Sequence, residues 1–183
     1  MAVNLSSRHE KLLGECLNKI KTSKVLIAGA GGLGTAVLTL LARLGVGTIY
    51  VVDPKRMNLP DLNRQILYDL QDVGKHKVLV AKEKVEKVRK DLEIFPLISK
   101  VDENEEFYGQ VTVVTQNTLK DFKMFLEGAK EKAVRQIFPP IVTTIASLQV
   151  NEFVKILCGY RDTLIGEILC IDLKRMIFET LKY

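Results

Sequence analysis

The chain has 183 residues, 47% apolar and 27% charged, the balance of an ordinary soluble globular protein long enough to bury one core. It carries no low-complexity run, no solenoid-period repeat, no long charge block and no secretory signal after Met1, which sets aside disordered, repeat and secreted classes and predicts a cytoplasmic protein. The net charge of +5 suits an anionic ligand, with no motif that would specify nucleic acid. Two histidines and three scattered cysteines, Cys16, Cys158 and Cys170, form no CxxC pair. They indicate neither a zinc site nor a redox dithiol, and read as small buried residues in a reducing compartment.

Residues 5–21 have the spacing of an amphipathic helix with Leu12, Leu13, Cys16, Leu17 and Ile20 on one face. Lys24 to Ala28 is a short apolar run ending at glycines, the pattern of a buried parallel strand. Residues 32–44 read as a helix, and 48–52 as a second strand ending at Asp53. The uncharged stretch 25–42 approaches the length of a membrane span. Four glycines within six residues interrupt it, so a strand, a tight turn and a buried helix explain it without a membrane.

Residues 54–74 are rich in turn formers, and the pattern predicts one short helix around 61–69. Residues 75–91 predict a helix with Val78, Ala81, Val85, Val88 and Leu92 spaced at three and four. A third strand is expected over 94–99, with Pro96 marking a sheet edge. The next strand falls at 111–115, followed by a helix near 118–130. Pro139 and Pro140 open a long apolar helix through Leu157, which Gly159 closes. Residues 166–172 and 175–182 pair as a hairpin. The alternation predicts an α/β fold: a Rossmann-like, mostly parallel sheet flanked by helices, with a C-terminal antiparallel hairpin, in a single domain over 1–183.

The chemistry concentrates at Gly29-Ala30-Gly31-Gly32-Leu33-Gly34, between a strand and a helix. Glycines there permit a tight turn and close approach of backbone to phosphate, and the helix start presents unpaired N–H groups to an anion. Asp53 ends the next strand, where a carboxylate can accept hydrogen bonds from ribose hydroxyls. A ligand-free βα turn, an NAD site and an ATP site all share this pattern.

The following segment separates them. Asp61-Leu62-Asn63-Arg64-Gln65-Ile66-Leu67 precedes Asp72-Val73-Gly74-Lys75-His76-Lys77, and Ile145-Ala146-Ser147-Leu148-Gln149-Val150-Asn151-Glu152 lies near the C-terminal end. Together with the glycine turn, these resemble the NLNRQ, DVGxxK and IGSLQAxE stretches of the ThiF/MoeB/HesA branch of the ubiquitin-activating-enzyme superfamily. The resemblance implies ATP as the nucleotide, with Gly29, Gly31, Gly32 and Gly34 cradling it and Asp53 on the ribose. It places Asn63, Arg64, Gln65 and Lys77 at the phosphates, with Arg64 and Lys77 as the residues that neutralise charge during catalysis. It also implies a homodimer in which Arg8 reaches the partner's site.

Departures from the family pattern are informative. Asp61 stands where the motif begins with Asn. The family's TDN turn, whose aspartate supports magnesium, aligns with Thr115-Gln116-Asn117, so a neutral glutamine takes the carboxylate position. Gln116 and Asn117 remain nucleotide-site candidates, no protein metal ligand is identified, and magnesium is left open. A competing alignment of 109–113 to a later strand would delete that turn; the first keeps the parallel sheet complete. About forty residues of the family's middle are absent, including its zinc-binding CxxC and the crossover loop that guides a protein tail. No cysteine of this chain falls at the thioester position.

The resulting expectation is an adenylyltransferase that activates a carboxylate as an acyl-adenylate, on a small-molecule carboxylate such as the pyridinol precursor of the iron-guanylylpyridinol cofactor. Alternatives are a nucleotide-binding pseudo-enzyme or partner subunit, and adenylation of a sulfur-carrier-like protein's C-terminus.

Overall fold

The structure, a computed structural model, describes residues 5–100, 111–114 and 139–182. Two short helices, α1 (Glu10–Leu13) and α2 (Cys16–Thr22), precede strand β1 (Lys24–Ala28), helix α3 (Gly32–Leu44) and strand β2 (Thr48–Val52). Two 3-10 turns, Leu59–Asn63 and Leu70–Asp72, lead to α4 (Lys77–Val88), β3 (Glu93–Leu97) and β4 (Val111–Val114). Helix α5 (Pro139–Cys158) and the hairpin β5 (Glu167–Asp172) and β6 (Ile177–Lys182) follow.

The sheet has order β3-β2-β1-β4 and every pairing in it is parallel. Central β1 pairs Val25 with Ile49 on one side and Val111 on the other. Val25, Ile27, Ile49 and Val51 are fully buried, which explains why these strands read as unbroken apolar runs. Pro96 lies on β3, an edge strand among the described residues, where its missing N–H breaks no ladder. Strand β4 runs parallel beside β1, the placement expected of the alignment that keeps the sheet complete. The stretch with the length of a membrane span is β1, the glycine turn and most of α3, with Val37, Leu38 and Leu41 fully buried.

Helix α3 packs against α5 and α4, so the core gathers Val37, Leu38, Leu41, Val78, Ala81, Ala146 and Phe153 around the sheet. Helix α5 spans 20 residues and is apolar enough to cross a membrane by length and composition. Here it lies along α3, with Ala146 and Phe153 turned inward. At its end Gly159 adopts φ +77°, and Glu152 accepts the Leu164 N–H at 2.8 Å, fixing the turn into the hairpin.

Several expectations need correction. The helix foreseen over 5–21 is broken at Gly14, whose φ of +52° ends α1. Leu12 is consequently 81% exposed, while Leu17 and Ile20 remain in the core. No α-helix forms over 61–69: the chain makes a 3-10 turn at 59–63 and then carries Gln65 inward to 1% exposure. Helix α4 stops at Val88, because Arg89 turns extended and its guanidinium reaches back to the Ala42 carbonyl at the end of α3. Cys16 and Cys158 are not separate buried thiols but a disulfide joining α2 to α5, with Cα atoms 5.3 Å apart; Cys170 is free. The helix foreseen near 118–130 lies outside the described residues.

Candidate functional site

The glycine turn is held open by its own geometry. Gly29 has φ +99°, a conformation side chains avoid, and its N–H donates to the Val52 carbonyl at 2.7 Å. A Cβ on Gly34 would come within 1.8 Å of the Gly29 carbonyl oxygen, so the first turn of α3 folds directly against the loop only because Gly34 lacks one. Gly31, the residue before α3, offers no side chain to cap it. No side chain among the described residues caps the start of α3, and the helix presents its partial positive charge there.

Asp53 braces this turn from β2. One carboxylate oxygen accepts the Ala30 N–H and the other accepts the Lys55 N–H, both at 2.8 Å. Tyr68 completes the brace, its hydroxyl lying 3.0 Å from the Ala30 carbonyl and 3.1 Å from the Lys77 carbonyl. Burial, with the nearby charges of Asp53, Asp72 and Asp61, pushes the Tyr68 hydroxyl far above its ordinary range, so it stays a donor. Tyr68 thus ties the glycine turn to the start of α4, a role with no signal in the sequence beyond its position after the DLNRQ run.

The 3-10 turn at 59–63 brings the charged residues to the same place. Lys77 begins α4, its N–H bonded to the Lys55 carbonyl at 3.1 Å and its side chain 6% exposed. Its Nζ meets Asp61 Oδ2 at 2.9 Å, and Arg64 Nη2 meets Asp61 Oδ1 at 3.4 Å. Burial raises the Asp61 carboxyl, but hydrogen bonds from Lys77 and the Asn58 N–H, with the charges of Lys77 and Arg64, outweigh it and hold it below the ordinary carboxylate range. Asp61 is therefore an anion at neutral pH.

These elements enclose a cleft of about 640 Å³, the size of a small-ligand pocket. Gly29, Gly31, Gly32, Asp53, Arg64, Gln65 and Lys77 all line it. Gln65 Oε1 is buried without a hydrogen-bond partner among the described residues, an acceptor open to a ligand that enters. Gly32 lies where a Cβ would crowd Arg64 and Val142, so the loop, the basic turn and α5 meet at the cleft wall. Lys55, Asp61 and Lys100 also line it and were assigned no role from sequence. Lys55 is two residues past Asp53 and Asp61 is the motif's one departure, so both were in view. Lys100 arrives only because β3 pairs beside β2.

Some expected site residues lie elsewhere. Asn63 is exposed, and its Oδ1 accepts a hydrogen bond from Arg64 Nη1 at 2.8 Å; it orients the arginine rather than lining the cleft. Gly34 is buried behind the loop, outside the cleft lining. Arg8 is exposed ahead of α1, outside the lining of this chain's own cleft, and its expected role concerns a partner subunit's site. Gln116 and Asn117 lie outside the described residues. Among the described residues no group of three or more His, Cys, Asp or Glu is arranged to hold a metal.

Comparison with known proteins agrees with this architecture. The ThiF family model matches residues 7–118, more than half of the chain. A "Probable molybdopterin-synthase adenylyltransferase" of Porphyra purpurea is 26% identical over 223 residues, covering 94% of this chain and 57% of that protein. The chain thus spans little more than half the length of that relative. The matched stretch is also longer than the whole chain, so the relative carries segments absent here. The "Molybdopterin-synthase adenylyltransferase" of Escherichia coli K12 is 26% identical over 209 residues, covering 89% of this chain and 84% of that protein. Among solved structures, "E. coli MccB + Succinimide" superposes with a TM-score of 0.82 at 19% identity, covering 100% of this chain and 71% of that one. It establishes a shared fold. With the family model spanning the glycine turn, Asp53, the basic turn and the start of α4, the chain belongs to the ThiF family.

Proposed function

We propose that the chain is an ATP-dependent adenylyltransferase. The observation that carries this reading is the convergence of one helix N-terminus, Arg64 and Lys77 on a single cleft beside Asp53. In the proposed reaction a substrate carboxylate oxygen attacks the α-phosphorus in line. A new O–P bond forms, the bond from the α-phosphorus to the bridging oxygen of the β-phosphate breaks, and pyrophosphate leaves with that electron pair. The product is an acyl-adenylate, and no protein nucleophile is needed. Arg64 and Lys77 neutralise the charge that builds on the phosphates, and the N–H groups of α3 hold an oxygen in place.

Magnesium accompanies ATP in such chemistry, yet the described donor set fits it poorly. Both Asp53 oxygens accept backbone N–H groups, and Asp61 is shared by two cations. The shortened middle favours a small-molecule acyl group, the pyridinol carboxylate being one to try. The relatives' names favour a protein target, molybdopterin synthase in their case, and a sulfur-carrier-like protein is the second acyl candidate. A homodimer and a cytoplasmic location belong to the same reading; sedimentation equilibrium tests the dimer.

The test is carboxylate-dependent exchange of labelled pyrophosphate into ATP, beside thermal shift with ATP and with NAD. The expected result is exchange with one acyl class and a shift with ATP alone. A shift with ATP but no exchange with any carboxylate makes the chain a nucleotide-binding pseudo-enzyme or partner subunit. A shift with NAD instead returns the glycine turn to a dinucleotide role.

A further inference from the structure

Asp61 raises a question that the adenylation reading leaves unanswered. The two side chains best placed to meet phosphate, Lys77 and Arg64, already share an anion. That anion is fixed: it accepts the Asn58 N–H at 3.2 Å from behind, and its side chain is 15% exposed. Lys77 is more enclosed still, at 6%, and Asp61 is its carboxylate partner among the described residues. Both side chains are largely enclosed, which leaves little room for either to move away from the other.

A lysine ammonium has three donors, so Lys77 can hold Asp61 and a phosphate oxygen together. The carboxylate then stays within roughly two hydrogen-bond lengths of that phosphate. In a cleft of reduced dielectric, two like charges so close repel strongly, and the repulsion grows with the charge the ligand brings. The family motif has a neutral asparagine here, which would pair with Lys77 without the charge.

We propose that Asp61 is a resident counter-ion of the phosphate site, a specificity-determining residue that weakens retention of polyphosphate and so favours release of pyrophosphate after transfer. The inference rests on the adenylation reading for its biological meaning, but the charge effect can be measured apart from it. Asp61 is a positioning residue for Lys77 and Arg64, and contacts no reacting atom itself.

The experiment is calorimetric binding of pyrophosphate, ATP, AMP and adenosine to wild type, Asp61→Asn and Asp61→Glu, each in EDTA and in excess magnesium. Asp61→Asn is expected to tighten pyrophosphate and ATP at least fivefold in both conditions, AMP less, and adenosine not at all. Asp61→Glu, which keeps the charge, should stay near wild type. Should Asp61→Asn not fold, Asp61→Ser, with room for water beside Lys77, carries the same comparison. Unchanged affinity for pyrophosphate would overturn the proposal. So would a loss of affinity confined to magnesium, which would make Asp61 a metal ligand. If wild type binds pyrophosphate but not ATP, the adenylation reading fails while the charge comparison still stands.

Discussion

Two glycines of one loop serve different ends. Gly34 has no room for a methyl group because the Gly29 carbonyl stands 1.8 Å from where it would sit, and backbone cannot move aside cheaply. Gly34→Ala should therefore cost on the order of 3 kcal/mol or more, read as a lower denaturation midpoint. A Cβ on Gly32 would meet, nearest first, side-chain atoms of Arg64 and Val142 at 3.2 Å and the Arg64 carbonyl oxygen at 3.4 Å. Gly32→Ala should keep most of its stability and lose much of the ATP-induced thermal shift, since the added methyl projects toward the basic turn. Equal effects in both measurements would contradict this division. The loop was legible in sequence because its demands are local, a tight turn and a helix start within six residues. Tyr68 was not, because its two carbonyl partners, at Ala30 and Lys77, are 38 and 9 residues away. The motif marks Asn63 as a ligand group, and the fold adds a bond the motif does not show, from Arg64 to its Oδ1.

At the scale of elements, the Asp72-Val73-Gly74 run is a structural joint. Asp72 accepts the Asp69 N–H at 2.8 Å, and both carboxylates meet Lys84, 20% exposed on α4. Gly74 turns the chain at φ +86°, and its N–H donates to the Met57 carbonyl at 2.9 Å. The joint sets where α4 begins, and hence where Lys77 stands. Burial lowers the Lys84 ammonium, but hydrogen bonds and charge from Asp69 and Asp72 outweigh it and hold it above its ordinary 10.5. A raised lysine contributes stability that is fully present below its unfolded value and is lost as pH climbs through its folded one. Asp72→Asn should destabilise by about 1–2 kcal/mol near neutrality, since the pair is only partly shielded from water. The gap to wild type should narrow above pH 10.5, and urea melts at pH 8 and 11 measure it. A gap independent of pH would assign the loss to the Asp69 N–H bond alone. Periodicity found α3, α4 and α5 because each keeps an apolar stripe. It overran at 5–21 and at 61–69, where one positive φ at Gly14 and one buried polar side chain at Gln65 override the pattern.

The whole molecule adds what no local pattern carries, the link between its two ends. Cys16 and Cys158 stand 142 residues apart, so spacing offers no hint that α2 and α5 pack side by side. The disulfide there closes nearly the whole domain and secures the N-terminal helices to the helix that lies along α3. Closing a loop of that length restricts the unfolded chain, and the chain-entropy account puts its contribution at about 4–5 kcal/mol as an upper figure. Cys16→Ser, or reduction of the wild type, should lower the denaturation midpoint, whereas Cys170→Ser should leave it alone because Cys170 is unpaired. Oxidised and reduced wild type also separate two roles of the link. If the N-terminal segment matters only as packing, ATP affinity will be the same in oxidised and reduced protein at a temperature where both are folded. If its position matters to the cleft, reduction will weaken ATP binding without unfolding, and the molecule's function will depend on the redox state of its surroundings. Non-reducing mass spectrometry of protein purified under anaerobic conditions gives the starting state, two hydrogens lighter per chain when the bond is closed. Asp53, Tyr68 and Gly34 brace the site through contacts of their own, so the expected result is equal ATP affinity in oxidised and reduced protein.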